Sequence, residues 1–244
     1  RHNFDLLITT TRHIPERHRS LRAAFASSWQ WLTDSERAVF AKLAVFRGGF
    51  TRAAAQAVAE SSLPVLSALA NKSFVRFHPE TERYEIHELM RQFGAEMLNQ
   101  SQTQADHTAH LHSAYFAEKL EQWTQASKGA RQQSAFLAMT LDGENIRTAW
   151  HWAVTHGRTD LLAQAIDGPG FLYQWQGRYQ EAIAMYQSAV QRLRTATGST
   201  RHLHEALVKA RTWQGLLTHR LGQTETAIAL LETTLYEDSA VNSV

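Results

Sequence analysis

Helix-breaking residues are scarce in this chain, and this scarcity limits the folds that it can adopt. Only four prolines and twelve glycines interrupt 244 residues, and they separate long amphipathic segments. In the first segment, Glu16 to Leu32, apolar and small residues recur on one face of a helix. Thr33 and Glu36 then form a capping box, which predicts the start of a second helix. The chain is therefore predicted to be mainly α-helical.

One short region has the period of a β-strand instead. Phe74 to Phe77 and Tyr84 to Ile86 are alternating runs separated by a turn-prone segment. They predict a β-hairpin, which is the only β structure expected. Helices are predicted before the hairpin, capped by Thr51 and opened by Pro64, and after it at His87 to Asn99. This is the element order of a winged-helix domain, predicted at residues 15–100.

The rest of the chain is predicted to be a helical array. Gln100 to Asp106 is polar and small, so it is the candidate linker. Beyond it, the apolar periodicity predicts helices only. The clearest of them cover about 107–124, 131–141 and 145–156. We therefore expect a second domain at residues 105–244.

An internal repeat lies in the last third of the chain. GRYQEAIAMYQSAV, from Gly177, aligns with GQTETAIALLETTL, from Gly222, at an offset of 45 residues. Gly170 and Gly215 stand at the same offset. The pattern resembles the tetratricopeptide repeat, in which a glycine turn joins two helices, although that repeat usually has about 34 residues. A plain antiparallel helical bundle is the alternative interpretation.

The absence of cysteine excludes several kinds of site, and the apolar pattern predicts neither a membrane span nor a signal peptide. Without cysteine, the chain forms no disulfide, thiolate zinc site or thiol nucleophile. A formal net charge of only +2 gives no support to nucleic-acid binding. No apolar run reaches the roughly 18 residues of a membrane span, and no signal-peptide core opens the chain. We expect a cytoplasmic protein, and the absence of an initiator methionine indicates a fragment.

Candidate catalytic and metal-binding groups do not combine into a familiar pattern. Two groups of closely spaced histidines are present, but no nearby Asp or Glu completes a familiar metal triad in either group. These are His107, His110 and His112, and His202 and His204. We interpret them as solvated helix ends and predict no metal site. Because no Ser-His-Asp or paired-carboxylate arrangement stands out either, we expect no enzyme activity and no catalytic residue.

Five ordered motifs resemble the winged-helix and sensor regions of bacterial STAND-class signalling ATPases. This class includes the maltose-regulator-like and antibiotic-regulator-like activators. The motifs are ERHRSLRAAF from Glu16, LAVFRGGF from Leu43, LANKSFV from Leu69, RYEIHELMRQFGAEML from Arg83 and DGENIRTAWHWAV from Asp142. The resemblance implies a winged helix followed by a tetratricopeptide-like sensor, without the ATPase. Residues 1–14 would be the tail of the ATPase helical subdomain.

The resemblance also implies a site at Ile86-His87-Glu88. In the family a Met-His-Asp motif occupies this place, and its His reaches the β-phosphate of bound ADP. His87 is therefore predicted to sense the phosphates of ADP or ATP held by the nucleotide-binding domain of the same parent chain. No G-x-x-x-x-G-K-[ST] loop is present, so the fragment itself is expected to hold no cofactor. Binding of an unidentified effector to the array would then control the switch through the winged helix.

Two other functions stay open from the sequence. A winged helix with a helical dimerisation domain could bind DNA, but the predicted recognition helix, Leu63 to Lys72, is apolar with one Lys. The basic cluster from Arg12 to Arg22 could contact phosphates, face the missing ATPase or be a solvated helix face.

The second alternative is a protein-binding scaffold. Trp150, Tyr173 and Trp175 are the candidate residues of a partner or ligand groove, because stacked repeats expose a concave surface. Core packing is the other interpretation of these aromatic residues.

Overall fold

The computed structural model describes residue 25, residues 27–196 and residues 201–242, with side chains as far as residue 236. Predictions on residues 1–14, on the Arg12 to Arg22 cluster and on most of the first helix lie outside the described residues. Within the described part, the fold is mainly α-helical with one small sheet, which confirms the predicted fold class. No described helix is both long and apolar enough to cross a membrane.

The N-terminal module, residues 34–98, alternates helices with short strands. Its elements are α1 (Asp34–Leu43), β1 (Phe50–Thr51), α2 (Arg52–Ala59), α3 (Leu63–Asn71), β2 (Arg76–His78), β3 (Arg83–Glu85) and α4 (Glu88–Leu98). The predicted capping box is present at α1: Glu36 N donates to Thr33 Oγ1 at 3.2 Å, and Thr33 N donates to Glu36 Oε2 at 2.6 Å. The order of elements fits the winged-helix prediction.

The sheet contains one strand more than predicted. The expected hairpin forms from β2 and β3, but β1 pairs antiparallel with the other edge of β3, so that Phe50 lies opposite Tyr84. Gly49 permits this pairing, because a Cβ at that position would lie only 2.9 Å from the Tyr84 carbonyl oxygen. The expectation that the hairpin is the only β structure is therefore wrong.

The second part, which we call the array, consists of helices that follow one another with short connections. They are α5 (Gln102–Ser127), α6 (Gln132–Leu141), α7 (Gly143–Thr155), α8 (Thr159–Ala165), α9 (Gly168–Gln176), α10 (Tyr179–Arg194), α11 (Arg201–Arg220) and α12 (Thr224–Asn242). The predicted linker at Gln100 to Asp106 is wrong. Ser101 caps α5, and the polar residues after it occupy exposed positions of the first helical turns.

The 45-residue repeat corresponds to two successive helix pairs, α9–α10 and α11–α12. Gly177 and Gly222 each follow the first helix of a pair in the left-handed conformation, at φ values of 69° and 81°. Gly170 and Gly215 each mark a close helix contact. A Cβ on Gly170 would overlap the Trp213 ring of α11, and one on Gly215 would lie 2.7 Å from a Leu231 side-chain carbon of α12. The repeated glycines therefore have repeated packing roles.

One continuous apolar core joins the two parts of the molecule. α5 packs against α2 and α4 on one side and against α6, α7, α8 and α9 on the other. Aromatic rings cross this boundary, since Phe46 stacks on Phe50 with centroids 4.7 Å apart and meets Phe116 of α5 at 6.4 Å. The N-terminal module is thus packed directly onto the array.

Candidate functional site at the junction of the two parts

His87 lies at the N-cap of α4, and its side chain is exposed. Its Nδ1 accepts a hydrogen bond from Leu89 N at 3.3 Å. A neutral ring that accepts at Nδ1 carries its proton on Nε2, and within the described residues Nε2 has no protein partner. The positive end of the α4 dipole lies at the same place. The predicted site residue therefore offers one free donor at a helix start.

Glu88 is held firmly by its own helix. Arg91 donates to both carboxylate oxygens at 2.8 Å, and Gln92 donates to one of them at 3.0 Å. These bonds, that of Arg91 first, lower the pKa of Glu88 to about 2. Arg91 also donates to the Ala44 carbonyl at 3.1 Å, just after α1. The carboxylate therefore ties the first turn of α4, including His87, to the end of α1.

A cavity of about 130 Å³ is lined by residues that include Ile86 and Glu88, the sequence neighbours of His87. The residues around it are Phe46, Gly48, Gly49, Phe50, Glu85, Ile86, Glu88 and Arg91. Two carboxylates face one guanidinium in this set, so the cavity by itself does not favour an anion. A phosphate contact at His87 would have to be completed by groups from outside this chain.

A buried ion pair connects the hairpin to the array. Arg83 of β3 donates to the two oxygens of Asp142 at 2.6 Å and 3.2 Å, and both side chains are less than a tenth exposed. Arg83 Nη2 also donates to the Gly49 carbonyl at 3.1 Å. The bidentate geometry satisfies both charges without water. Because these residues are 59 positions apart, the pair fixes the hairpin against the start of α7.

Asn145 extends this contact and is completely buried. Its amide nitrogen donates to Gly49 O and to Asp142 Oδ1, both at 2.9 Å. Its amide oxygen accepts from Arg47 N at 2.7 Å. We call Arg83, Asp142 and Asn145 the junction triad. The three buried polar side chains thereby have hydrogen-bond partners. Removing one of them would leave the others buried without a partner, which is costly in the protein interior.

His112 of α5 closes the other side of the triad. Its Nε2 lies 3.4 Å from Asn145 Oδ1, and its ring packs against Phe46 and Phe116 with centroids 5.3 Å and 4.8 Å apart. Burial lowers the pKa of His112 to about 4. The interpretation of this histidine as a solvated helix end is wrong, because position 112 lies in the interior of a 26-residue helix and faces aromatic rings.

The sequence did not identify the junction triad as a site. Asp142 and Asn145 belong to the motif DGENIRTAWHWAV, which resembles the sensor regions. Arg83 is the first residue of the motif RYEIHELMRQFGAEML. Their pairing required the structure. A usable signal was present, since an acidic residue followed by an amide at i+3 stood at the start of an otherwise apolar helix face.

The candidate groove residues do not form one open surface. Trp150 and Tyr173 are buried, and Trp150 Nε1 donates to the Met185 carbonyl at 3.2 Å. Burial raises the pKa of Tyr173. Trp175 differs, because it is 60% exposed and stacks on Phe136 with centroids 4.5 Å apart. Of the three residues, Trp175 alone is accessible to a partner.

The elements that would contact DNA carry little free positive charge. The single Lys72 at the end of α3 is bound to Glu36, with Nζ 2.8 Å from a carboxylate oxygen. On the hairpin, Arg83 is buried in the junction triad, which leaves Arg76 exposed. The exposed carboxylates there are Glu80, Glu82 and Glu85. This surface is acidic and does not favour phosphate contacts.

Within the described part of the chain, no group of three or more potential ligands could hold a metal ion. Among the histidines of α5, His110 contacts the Arg158 guanidinium with a nitrogen–nitrogen distance of 2.6 Å, and His112 is buried.

No protein-family model matches the chain. Three mycobacterial proteins, from Mycobacterium bovis and from two strains of Mycobacterium tuberculosis, are 28% identical to it over 197 residues. Each is named as a candidate HTH-type transcriptional regulator. The match covers 77% of this chain and 22% of each relative, so the chain spans about a fifth of the curated relatives' length.

One solved structure is similar over nearly the whole chain. It is described as a signal-transduction ATPase with numerous domains (STAND) that has a tetratricopeptide-repeat sensor, from Pyrococcus horikoshii. It is 16% identical, and the alignment covers 95% of this chain and 35% of that chain with a TM-score of 0.38. That TM-score does not establish a common fold.

Proposed function

We propose that this chain is the non-catalytic coupling segment of a cytoplasmic STAND-type transcription regulator. In this proposal, the N-terminal module is a winged helix that contacts a nucleotide-binding domain of the same parent chain. His87 contacts the phosphates of ADP or ATP held there. An effector on the array alters this contact through the junction triad.

The placement of His87 supports the nucleotide part of the proposal. A free Nε2 donor at a helix start suits an anion, because the helix dipole adds to the attraction. Glu88 and Arg91 fix the turn that carries it. The curated relatives, which are named as transcriptional regulators, support the regulatory part.

The junction triad is the observation that carries the coupling. Arg83 belongs to the hairpin just before His87, while Asp142 and Asn145 belong to the array. If a change in the array moved the start of α7 while Arg83 stayed in place, the buried charges of Arg83 and Asp142 would be separated. Separating a buried ion pair is costly. The two parts are therefore expected to move together.

The alternative of direct DNA binding through α3 and the hairpin has weaker support. Its one lysine is paired and its hairpin arginine is buried. We therefore place any DNA-reading element of the parent outside this chain.

The test measures the nucleotide that co-purifies with the longer natural protein. The variants are His87→Ala, His87→Asn and, as a matched control, His151→Ala, which removes an exposed histidine from α7. Asn is a good N-cap residue, so His87→Asn keeps the helix start and removes the imidazole. We expect ADP with the unchanged protein and the control. Both His87 variants should retain about tenfold less, as for loss of a charge-assisted hydrogen bond.

Each contrary result has a definite meaning. Equal ADP in all variants would remove His87 from the nucleotide site. ADP retained by His87→Asn but lost by His87→Ala would show that the residue acts only as a cap. No ADP in any sample would overturn the switch and leave a protein-binding scaffold as the better function.

A further inference from the structure

A cleft of about 360 Å³ opens between the N-terminal module and the array. We call it the junction cleft. Its walls come from the end of α1, from α4, from the first turns of α5 and from α7. Its lining includes Arg47, Arg91, Leu98, Asp106, Trp152 and His156. Small-molecule sites occupy cavities of this order of volume.

Part of the cleft is apolar and contains one large ring system. Short aliphatic side chains come from three different helices, with Leu98 the largest of them. Trp152 is half-buried, and its ring stacks on His156 with centroids 4.4 Å apart and planes inclined by 17°. An indole held in this way provides a rigid aromatic contact at little entropic cost. The cleft therefore suits a ligand with a planar apolar part.

The polar part of the cleft is rich in donors. Within the described residues, the Arg47 guanidinium makes no hydrogen bond, and its nearest carboxylate oxygen, on Glu88, is 3.8 Å away. The Trp152 indole N–H likewise has no partner in that part of the chain. Asp106 supplies a carboxylate to the lining, but it already accepts from Gln102 at 2.9 Å.

Two guanidiniums, of Arg47 and Arg91, and one carboxylate, of Asp106, line the cleft, so its charges favour an anion over a cation. Partial desolvation, and repulsion from Arg91, lower the pKa of Arg47, although Glu88 and Glu144 act in the opposite direction. Arg91 itself is already neutralised by the carboxylate of Glu88. A bound negative charge near Arg47 would relieve this repulsion and could accept from guanidinium N–H groups that make no hydrogen bond within the described residues.

We propose that the junction cleft binds a small planar carboxylate, with its ring against Trp152 and its anionic group at Arg47. The proposal deepens the proposed function, on which its regulatory meaning rests, because such a ligand would contact both parts at once. A ligand that bridges them would favour the arrangement in which the junction triad is closed.

The test uses the 244-residue chain without nucleotide, so its outcome is independent of the ADP experiment. The probe is 8-anilinonaphthalene-1-sulfonate, which carries aromatic rings and one anionic group and whose fluorescence rises when it enters an apolar site. The cleft variants are Arg47→Gln and Trp152→Ala. The matched controls are Arg201→Gln, which removes an exposed arginine, and Trp31→Ala, which removes an exposed tryptophan outside the cleft lining.

We expect each cleft variant to weaken probe binding about tenfold, while both controls bind as the unchanged chain does. The carboxylate 2-naphthoate should displace the probe, and the neutral 2-naphthalenemethanol should not at the same concentration. Equal binding by all variants, or equal displacement by the neutral compound, would overturn the proposal. Because Arg47 is exposed, its variant keeps the test valid even if Trp152→Ala loses its fold, which far-ultraviolet circular dichroism would reveal.

Discussion

Replacing Asp142 by Asn tests whether the junction triad holds the two parts together. The substitution keeps the size of the side chain and one oxygen that can accept from Asn145. It removes the charge that faces Arg83 across a 2.6 Å contact. Arg83 remains in its buried position, because its guanidinium also donates to Gly49 O. The variant therefore leaves a buried cation without its counter-charge.

The expected loss can be worked from this geometry. Two unit charges about 4 Å apart attract by about 4 kcal/mol at an effective dielectric constant near 20. Removing one partner of a buried pair costs about 3–5 kcal/mol, since the remaining charge stays desolvated. Whole domains are stable by only about 5–15 kcal/mol. Asp142→Asn should therefore remove a large part of the folding free energy.

Urea unfolding at pH 7, followed by circular dichroism, measures this change. The matched control is Glu181→Gln, which breaks an exposed bidentate pair with Arg178 at 2.6 Å and 2.5 Å. About half of each side chain in that pair is in solvent, so the control should lose at most about 1 kcal/mol. A double variant, Arg83→Gln with Asp142→Asn, should lose less than the sum of the single losses.

Equal losses in Asp142→Asn and Glu181→Gln would refute the reasoning. Such a result would mean that water or a small rearrangement satisfies Arg83, and the triad would then not fix the hairpin to the array. Separate unfolding transitions for the two parts of Asp142→Asn would instead support its role as their connection.

Two further predictions concern packing and pH. Gly170→Ala would force a Cβ against the Trp213 ring and should lower the free energy of unfolding by about 1–3 kcal/mol. Gly143→Ala is the control, because a Cβ there meets open space, and it should be neutral or slightly stabilising. Equal melting temperatures of the two variants would contradict the packing argument. The pKa of His112 is about 4 when folded and about 6.5 when unfolded, so the unfolded chain binds more protons between these values. Stability should therefore fall by about 1.4 kcal/mol per pH unit as the pH drops from 6.5 to 4, about 3 kcal/mol in all. His112→Gln should flatten this slope in urea titrations at several pH values, and an unchanged slope would show that other groups cause it.

Local signals in the sequence predicted most of the helices. The capping box at Thr33, the Thr51 cap and the proline that opens α3 each act within one turn of chain, so they are readable without the fold. The glycines of the 45-residue repeat were also readable. Their offset reflects two helix pairs that pack in the same way.

The features that the sequence did not reveal depend on distant parts of the chain. β1 has two residues, too few to show an alternating pattern, and it exists only because β3 offers a free edge. The ion pair of Arg83 with Asp142 spans 59 positions. His112 looked like one of several surface histidines, and it is buried by Phe46 from the N-terminal module together with Asn145 from α7. Residue spacing along one helix carries no information about such a neighbour.

α5 is the first helix of the array, but its rings also complete the aromatic cluster of the N-terminal module. This limits how the two parts could be exchanged during evolution. The helix has 26 residues and is about 39 Å long. Its His112 and Phe116 close the aromatic cluster that Phe46 and Phe50 begin. A recombination event between Leu98 and Gln102 would leave those rings facing water. A different array could therefore replace this one only if it supplied an equivalent first helix, so the two parts should be exchanged between proteins as a single block.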